Sequence, residues 1–237
     1  MISTKVVTAT QNEPGRARSL ERILASGLRE LLRLLAHGLT ATRARWIGCE
    51  PAHKRRIYFA NHASHADFLL LWAALPGSLR RRVRPVAAAD YWLESRVRRF
   101  IVNEVFRAVL VDRVRSGHAA DAIEVMARAL ASGNSLIVFP EGCRNTMDTP
   151  LLPFKSGLYR LARLLPETEL VPVWLDNVDR VLPKGAVVPV PLLCTVTFGP
   201  PMRLRRDEDK DAFLRRARDA LLALAEPPSN GSNWERR

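Results

Sequence analysis

The chain has 237 residues, 47% of them hydrophobic and 26% charged, and 37 Lys and Arg against 24 Asp and Glu leave a formal charge of +13. That apolar fraction supports a sizeable core, which excludes a disordered chain, and the length fits one large domain. The excess of cations points to a polyanion, whether nucleic acid, an anionic membrane surface or a phosphorylated substrate.

Residues 1–16 are polar and aperiodic and are expected to be a flexible N-terminus. Over residues 18–40, Leu20, Ile23, Leu24, Leu28, Leu31, Leu32, Leu35 and Leu39 recur at helical spacing among Arg22, Arg29, Glu30 and Arg33. This predicts an amphipathic basic helix that, with its connection, fills residues 17–54. Apolar runs at 56–60, 83–89, 135–139 and 170–174, with weaker ones at 109–111 and 192–198, read as strands. Most are continuous rather than alternating, as suits strands covered on both faces. Helical patterns lie at 66–75, 96–106, 117–132, 156–165 and 207–225. Strands alternating with helices predict a single α/β domain over 55–226, with a central mixed, largely parallel sheet flanked by helices. Residues 227–237 are expected to be a flexible tail.

No stretch approaches the ~20 uninterrupted apolar residues of a membrane span, and the first twenty residues lack the apolar centre of a secretion signal. Cys49, Cys143 and Cys194 are too scattered for a disulfide framework, so a reducing compartment is expected.

Ligands of such sheets bind beyond the carboxyl ends of the strands, and two segments stand there. Asn61-His62-Ala63-Ser64-His65-Ala66-Asp67 follows the strand that ends at Ala60 and opens a helix. With Ser64 as N-cap, Asp67 falls at the third helical position, in the manner of a capping box. His62 then lies in the incoming loop, where it can meet Asp67, whereas on an unbroken helix the two would diverge by about 140°. A carboxylate on Nδ1 fixes the imidazole tautomer and leaves Nε2 free to take a hydroxyl proton. The bland alternative is a helix cap beside a polar loop residue. The second segment is Phe139-Pro140-Glu141-Gly142-Cys143-Arg144, in which Glu141 can orient a hydroxyl, Gly142 admits close backbone approach and Arg144 suits a phosphate. Its alternative is a strand-to-loop turn with solvated charges.

Taken together, these segments resemble the glycerophospholipid acyltransferase family, the group that contains the 1-acyl-sn-glycerol-3-phosphate acyltransferases. NHASHAD is similar to its His-x4-Asp motif, VLVDR at 109–113 to the second, FPEGCRN to the third and LVPV at 170–173 to the fourth, and Phe154-Lys155-Ser156-Gly157 matches a further recurrent segment. The likeness covers residues 55–200. It departs at Cys143, Asn145 and Arg107, where the family usually carries Thr, Ser and Gly.

The resemblance implies O-acyl transfer from a thioester, acyl-CoA or acyl-carrier protein, to a lysophospholipid hydroxyl. The first acceptor to expect is 1-acylglycerol 3-phosphate, and another lysolipid such as a lyso-aminolipid is the alternative. His62 is implied as base with Asp67 as partner, and Arg113, Glu141, Gly142, Arg144 and Lys155 as the substrate-binding set, with no metal or organic cofactor. A covalent acyl intermediate on Cys143 is the sharper variant, and a small residue filling the usual Thr position the plainer one. The basic clusters at 80–82, 98–99 and 205–206 favour anionic headgroups, so the protein is expected in the cytoplasm, peripheral on the membrane's cytoplasmic face, with no nucleic-acid partner. Two rivals of other classes remain. A nucleic-acid-binding module would explain the charge but not the lack of aromatics interleaved with the basic clusters, and a metallohydrolase could use His62, His65 and Asp67, with His118 the only later histidine.

Overall fold

The computed structural model describes residues 15–40, 42–64, 67–112, 119–176 and 194–225. The expected flexible ends lie almost wholly outside these, as do His65, Arg113 and His118.

Helix α1 (Gly15–Thr40) leads into strand β1 (Arg43–Trp46) and then β2 (Arg56–Ala60). After the first motif come α2 (Asp67–Ala74), α3 (Gly77–Arg80), β3 (Val83–Ala88), α4 (Ala89–Trp92) and α5 (Arg96–Phe100), the last continuing as a π-helical turn (Ile101–Val105). The chain proceeds through β4 (Val109–Val111), α6 (Ala119–Ala131), β5 (Ser135–Val138), α7 (Gly157–Leu164), β6 (Glu169–Asp176), β7 (Thr195–Phe198) and α8 (Lys210–Leu222).

The strands form one sheet in the order β1-β7-β6-β2-β5-β3-β4. All neighbours run parallel except β6 and β7. The expected α/β sheet is therefore present. The central strand β2 is buried along its whole length because helices cover both faces. On one face Tyr58, Ile137 and Val171 pack with α2 and with Ala25, Leu28 and Leu32 of α1. On the other, Ile57, Phe59 and Leu136 pack with Leu130 of α6, Leu158 and Leu161 of α7 and Phe213 of α8.

Three local features differ from the sequence reading. Strand β1, Arg-Ala-Arg-Trp, pairs with β7 at the sheet edge, and its exposed Arg43 and half-buried Arg45 hide it from any apolar pattern. The helix expected over 96–106 widens into a π turn and closes with Arg107 at φ +49°, a left-handed backbone that a non-glycine residue rarely adopts. The apolar residues of α1 do not share one buried face. Leu28 and Leu32 pack on the core, while Ile23, Leu24, Leu31 and Leu34 are between 51% and 67% exposed.

Candidate active site

Strands β2 and β5 are parallel neighbours, so the loops that follow them emerge side by side at one end of the sheet. Asn61 closes β2, and its side chain accepts from the Leu175 N–H (2.8 Å) and donates to the Leu175 carbonyl (2.9 Å), tying the strand end to β6. His62 comes next, with its backbone held on both sides by the loop after β5. Its N–H donates to Glu141 Oε1 (2.8 Å), and its carbonyl accepts from the Asn145 N–H (2.6 Å).

The imidazole is fixed as firmly. Its ring stacks on Phe139 at 4.2 Å between centroids, and Nδ1 lies 2.8 Å from Asp67 Oδ2. That same oxygen accepts from the N–H groups of Ala63 (2.7 Å) and Ser64 (2.8 Å). Asp67 therefore makes the backward reach of a capping box and holds the imidazole with the same atom. An ionised carboxylate can only accept, so the contact puts the proton on Nδ1 and leaves Nε2 as the acceptor. Asp67 is fully buried, and its Oδ1 has no partner among the described residues.

Glu141 is 2% exposed, and its second oxygen accepts from the Leu152 N–H (2.8 Å). Burial pushes its pKa up, partly offset by the two amide donors, Leu152 and His62. Gly142 turns the loop at φ +74°. A Cβ there would stand 2.8 Å from Lys155 Cδ, so the Lys155 stem lies directly across the glycine.

Beside this cluster opens a cavity of about 810 Å³. Part of its lining is apolar, from Pro85, Val86, Ala87 and Ala88 of β3, Tyr91 and Trp92 of α4, Phe106, and Met126 of α6. The rest is polar and mainly cationic, with His62, Cys143, Arg144, Lys155 and Arg160 and one carboxylate, Asp112. Ser156 and Gly157 at the start of α7 also face it, so the positive end of that helix's dipole adds to the cations. The cavity thus combines apolar lining with cations beside the His62–Asp67 pair, which suits a molecule with one apolar and one anionic end.

The acyltransferase family model matches residues 37–176, more than half of the chain, from the end of α1 through β6 and across both site loops. The chain belongs to the acyltransferase family. Its fold is similar to that of the crystal structure of the 1-acyl-sn-glycerophosphate (LPA) acyltransferase PlsC from Thermotoga maritima, with a TM-score of 0.64 at 18% identity, covering 90% of this chain and 82% of that one. A 1-acyl-sn-glycerol-3-phosphate acyltransferase of Cocos nucifera is 30% identical over 158 residues, 66% of this chain and 48% of that protein. The alpha form of Homo sapiens is 27% identical over 178 residues, 73% of this chain and 60% of that protein. The chain spans about half to three fifths of the length of these curated relatives.

Within the family frame, the structure brings together His62, Asp67, Glu141, Gly142, Arg144 and Lys155, and Arg113 lies outside the described residues. The geometry of Glu141 departs from the expected acceptor contact, because both carboxylate oxygens are taken by backbone N–H groups and the residue does not line the cavity. Sequence reasoning missed two contributors. Phe139 was read only as the end of a strand, and Arg160, five residues after Lys155, was read only as part of a helix; the one available signal was its basic character in the first turn of that helix.

Proposed function

We propose that the protein transfers an acyl group from a thioester, acyl-CoA or acyl-carrier protein, to the free hydroxyl of a lysophospholipid, with 1-acylglycerol 3-phosphate as the acceptor and phosphatidic acid as the product. The observation that carries this reading is the 2.8 Å His62–Asp67 contact beside a cavity lined by apolar residues and by Arg144, Lys155 and Arg160.

In this reaction His62 Nε2 takes the acceptor hydroxyl proton as the oxygen attacks the thioester carbonyl carbon. The tetrahedral intermediate collapses, the C–S bond breaks, and the departing thiolate takes the proton back from the imidazolium. No enzyme nucleophile is needed, and Cys143 lines the cavity as a small residue. The Gly142 N–H is engaged with the Phe139 carbonyl (3.1 Å), so the oxyanion is left to other backbone N–H groups of this loop. Arg144, Lys155 and Arg160 hold the acceptor phosphate, which favours a phosphate-bearing acceptor over an amine headgroup. Glu141 acts through His62 as a positioning residue.

No helix among the described residues is long and apolar enough to cross a membrane. The exposed row on α1 at Ile23, Leu24, Leu31 and Leu34 suits peripheral attachment, with this ridge at the level of the acyl chains.

The reading is tested by following thiol release and lipid product from each donor with a panel of lysolipids. Acylation of 1-acylglycerol 3-phosphate, and much slower turnover of a lyso-aminolipid, is the expected outcome. Preference for the aminolipid would overturn the acceptor assignment, and no turnover of any lysolipid with either donor would overturn the activity.

A further inference from the structure

The imidazole of His62 lies on an aromatic ring, and the sheet puts that ring there. Strands β2 and β5 are parallel, with Tyr58 level with Ile137 and Phe59 with Val138, so the next residues, Ala60 and Phe139, are neighbours as well. Side chains alternate along a strand, which sets Tyr58 and Ala60 on one face of β2 and Ile137 and Phe139 on the same face of β5. All four belong to the core on the α2 side of the sheet. Ala60 contributes only a methyl group at that level, which leaves the Phe139 ring free to reach His62 just beyond the strand end. The two ring planes are 21° apart, with centroids 4.2 Å from each other. The Phe139 backbone is pinned in turn, because its carbonyl accepts from the Gly142 N–H (3.1 Å).

Proton transfer to His62 turns the imidazole into a cation, and the surroundings of that cation are mixed. Arg144, Lys155 and Arg160 line the same cavity and repel it, and Asp112 is the one carboxylate in that lining among the described residues. Asp67 attracts it at Nδ1, but with an oxygen that also accepts from the Ala63 and Ser64 N–H groups. Glu141, held to the His62 backbone, spends its two oxygens on the N–H groups of His62 and Leu152. The face of a benzene ring is electronegative and attracts a cation held within about 6 Å of its centroid. A neutral imidazole gains only packing from the same contact, so the attraction grows as the proton moves.

We infer that Phe139 is a positioning residue for the base: its ring fixes the plane of the imidazole and, through its π face, stabilises the imidazolium that forms as the acceptor hydroxyl is deprotonated. This role rests on the acyl-transfer reading above. An interaction stronger in the transition state than in the ground state raises kcat and leaves substrate affinity alone.

The test replaces Phe139 in the full chain by 4-fluorophenylalanine and by pentafluorophenylalanine, which keep the ring's shape while draining or reversing the charge of its face. The kcat of acyl transfer should fall stepwise along the series, by about fivefold at the pentafluoro ring, with KM for donor and acceptor within about twofold of wild type. The NMR titration of the His62 ring should move in the same order, its midpoint falling by about half a pH unit in the pentafluoro protein. Phe139→Leu, which removes the π face altogether, should lose at least as much kcat. An unchanged kcat and an unchanged midpoint in the pentafluoro protein would overturn the electrostatic role, and a loss confined to Phe139→Leu would overturn it in favour of packing alone. The midpoint is measured without substrate. A wild-type protein that turns over no lysolipid would therefore overturn the acyl-transfer reading, while the titration still decides whether the Phe139 ring stabilises the charged imidazole.

Discussion

The two ends of strand β2 each carry a well-connected polar cluster, and the two are built on opposite principles. At its start, Arg56 is 3% exposed and bonds Glu169 (3.0 Å) and the Glu50 carbonyl (2.8 Å), while Lys54 takes the other Glu169 oxygen (3.0 Å). Every charge there is answered, and nothing is left to act on a ligand. At its other end, His62 is equally fixed through Glu141, Asn145, Phe139 and Asp67, but every one of those contacts goes to its backbone, its ring face or Nδ1. Nε2 and the cations of the rim are left facing a cavity. Burial and hydrogen bonding alone do not mark a site. The mark is a rigid group with one valence deliberately unspent.

The contrast is broken most severely at His62. His62→Ala should lower the rate of acyl transfer by about 10³-fold, within the range for a lost general base, and because fully buried Asp67 loses its side-chain partner the melting temperature should fall as well, so rates are compared below that temperature. At the opposite end, Arg56→Met should leave the chemistry intact and cost about 3 kcal/mol of stability, because it strips Glu169 of its one buried partner and leaves only the more exposed Lys54 and Arg203; chemical denaturation reads this directly. Substituting Glu141→Gln sharpens the distinction between positioning and catalysis. An amide can accept only one of the two N–H groups that Glu141 now receives, so kcat should fall by about 10- to 100-fold with KM little changed, the reach of a misplaced reacting group. Arg144→Ala with Lys155→Ala should do the reverse, raising KM for a phosphate-bearing acceptor by about tenfold or more, while a neutral acceptor is affected less.

The smallest effect is in pH. Burial by itself would raise the pKa of Glu169, but the hydrogen bonds from Lys54 and Arg56 outweigh it and hold it below the ordinary carboxylate value. A depressed acid contributes stability that is present above its unfolded pKa and lost as pH falls through its folded one. The stability of the wild type should therefore fall as pH drops through and below the ordinary carboxylate range, and Glu169→Gln, less stable at neutral pH, should show a shallower acid dependence.

How much of this was legible in the sequence follows the range of the interactions. Strand β2 and its neighbours announced themselves because a sheet covered on both faces needs continuous apolar runs. The meeting of His62 and Asp67 was readable from five residues of local geometry. The engagement of Glu141 was not, because its partners lie 79 residues before it and 11 after it, and no spacing rule connects them. The edge strand β1 was invisible for the opposite reason, since Arg43 and Arg45 on an edge give no apolar pattern even when the backbone is paired. The two apolar faces of α1 share one helical period, and only the packing of Leu28 and Leu32 against the core separates them from the exposed ridge.

The central claim, that His62 is the base of an acyl transfer held ready by Asp67, is tested most directly by thiol release from an acyl thioester in the presence of 1-acylglycerol 3-phosphate, comparing wild type with folded His62→Ala. The account predicts rapid, acceptor-dependent release by the wild type and a loss of about 10³-fold in the variant. Equal rates in the two proteins would contradict it.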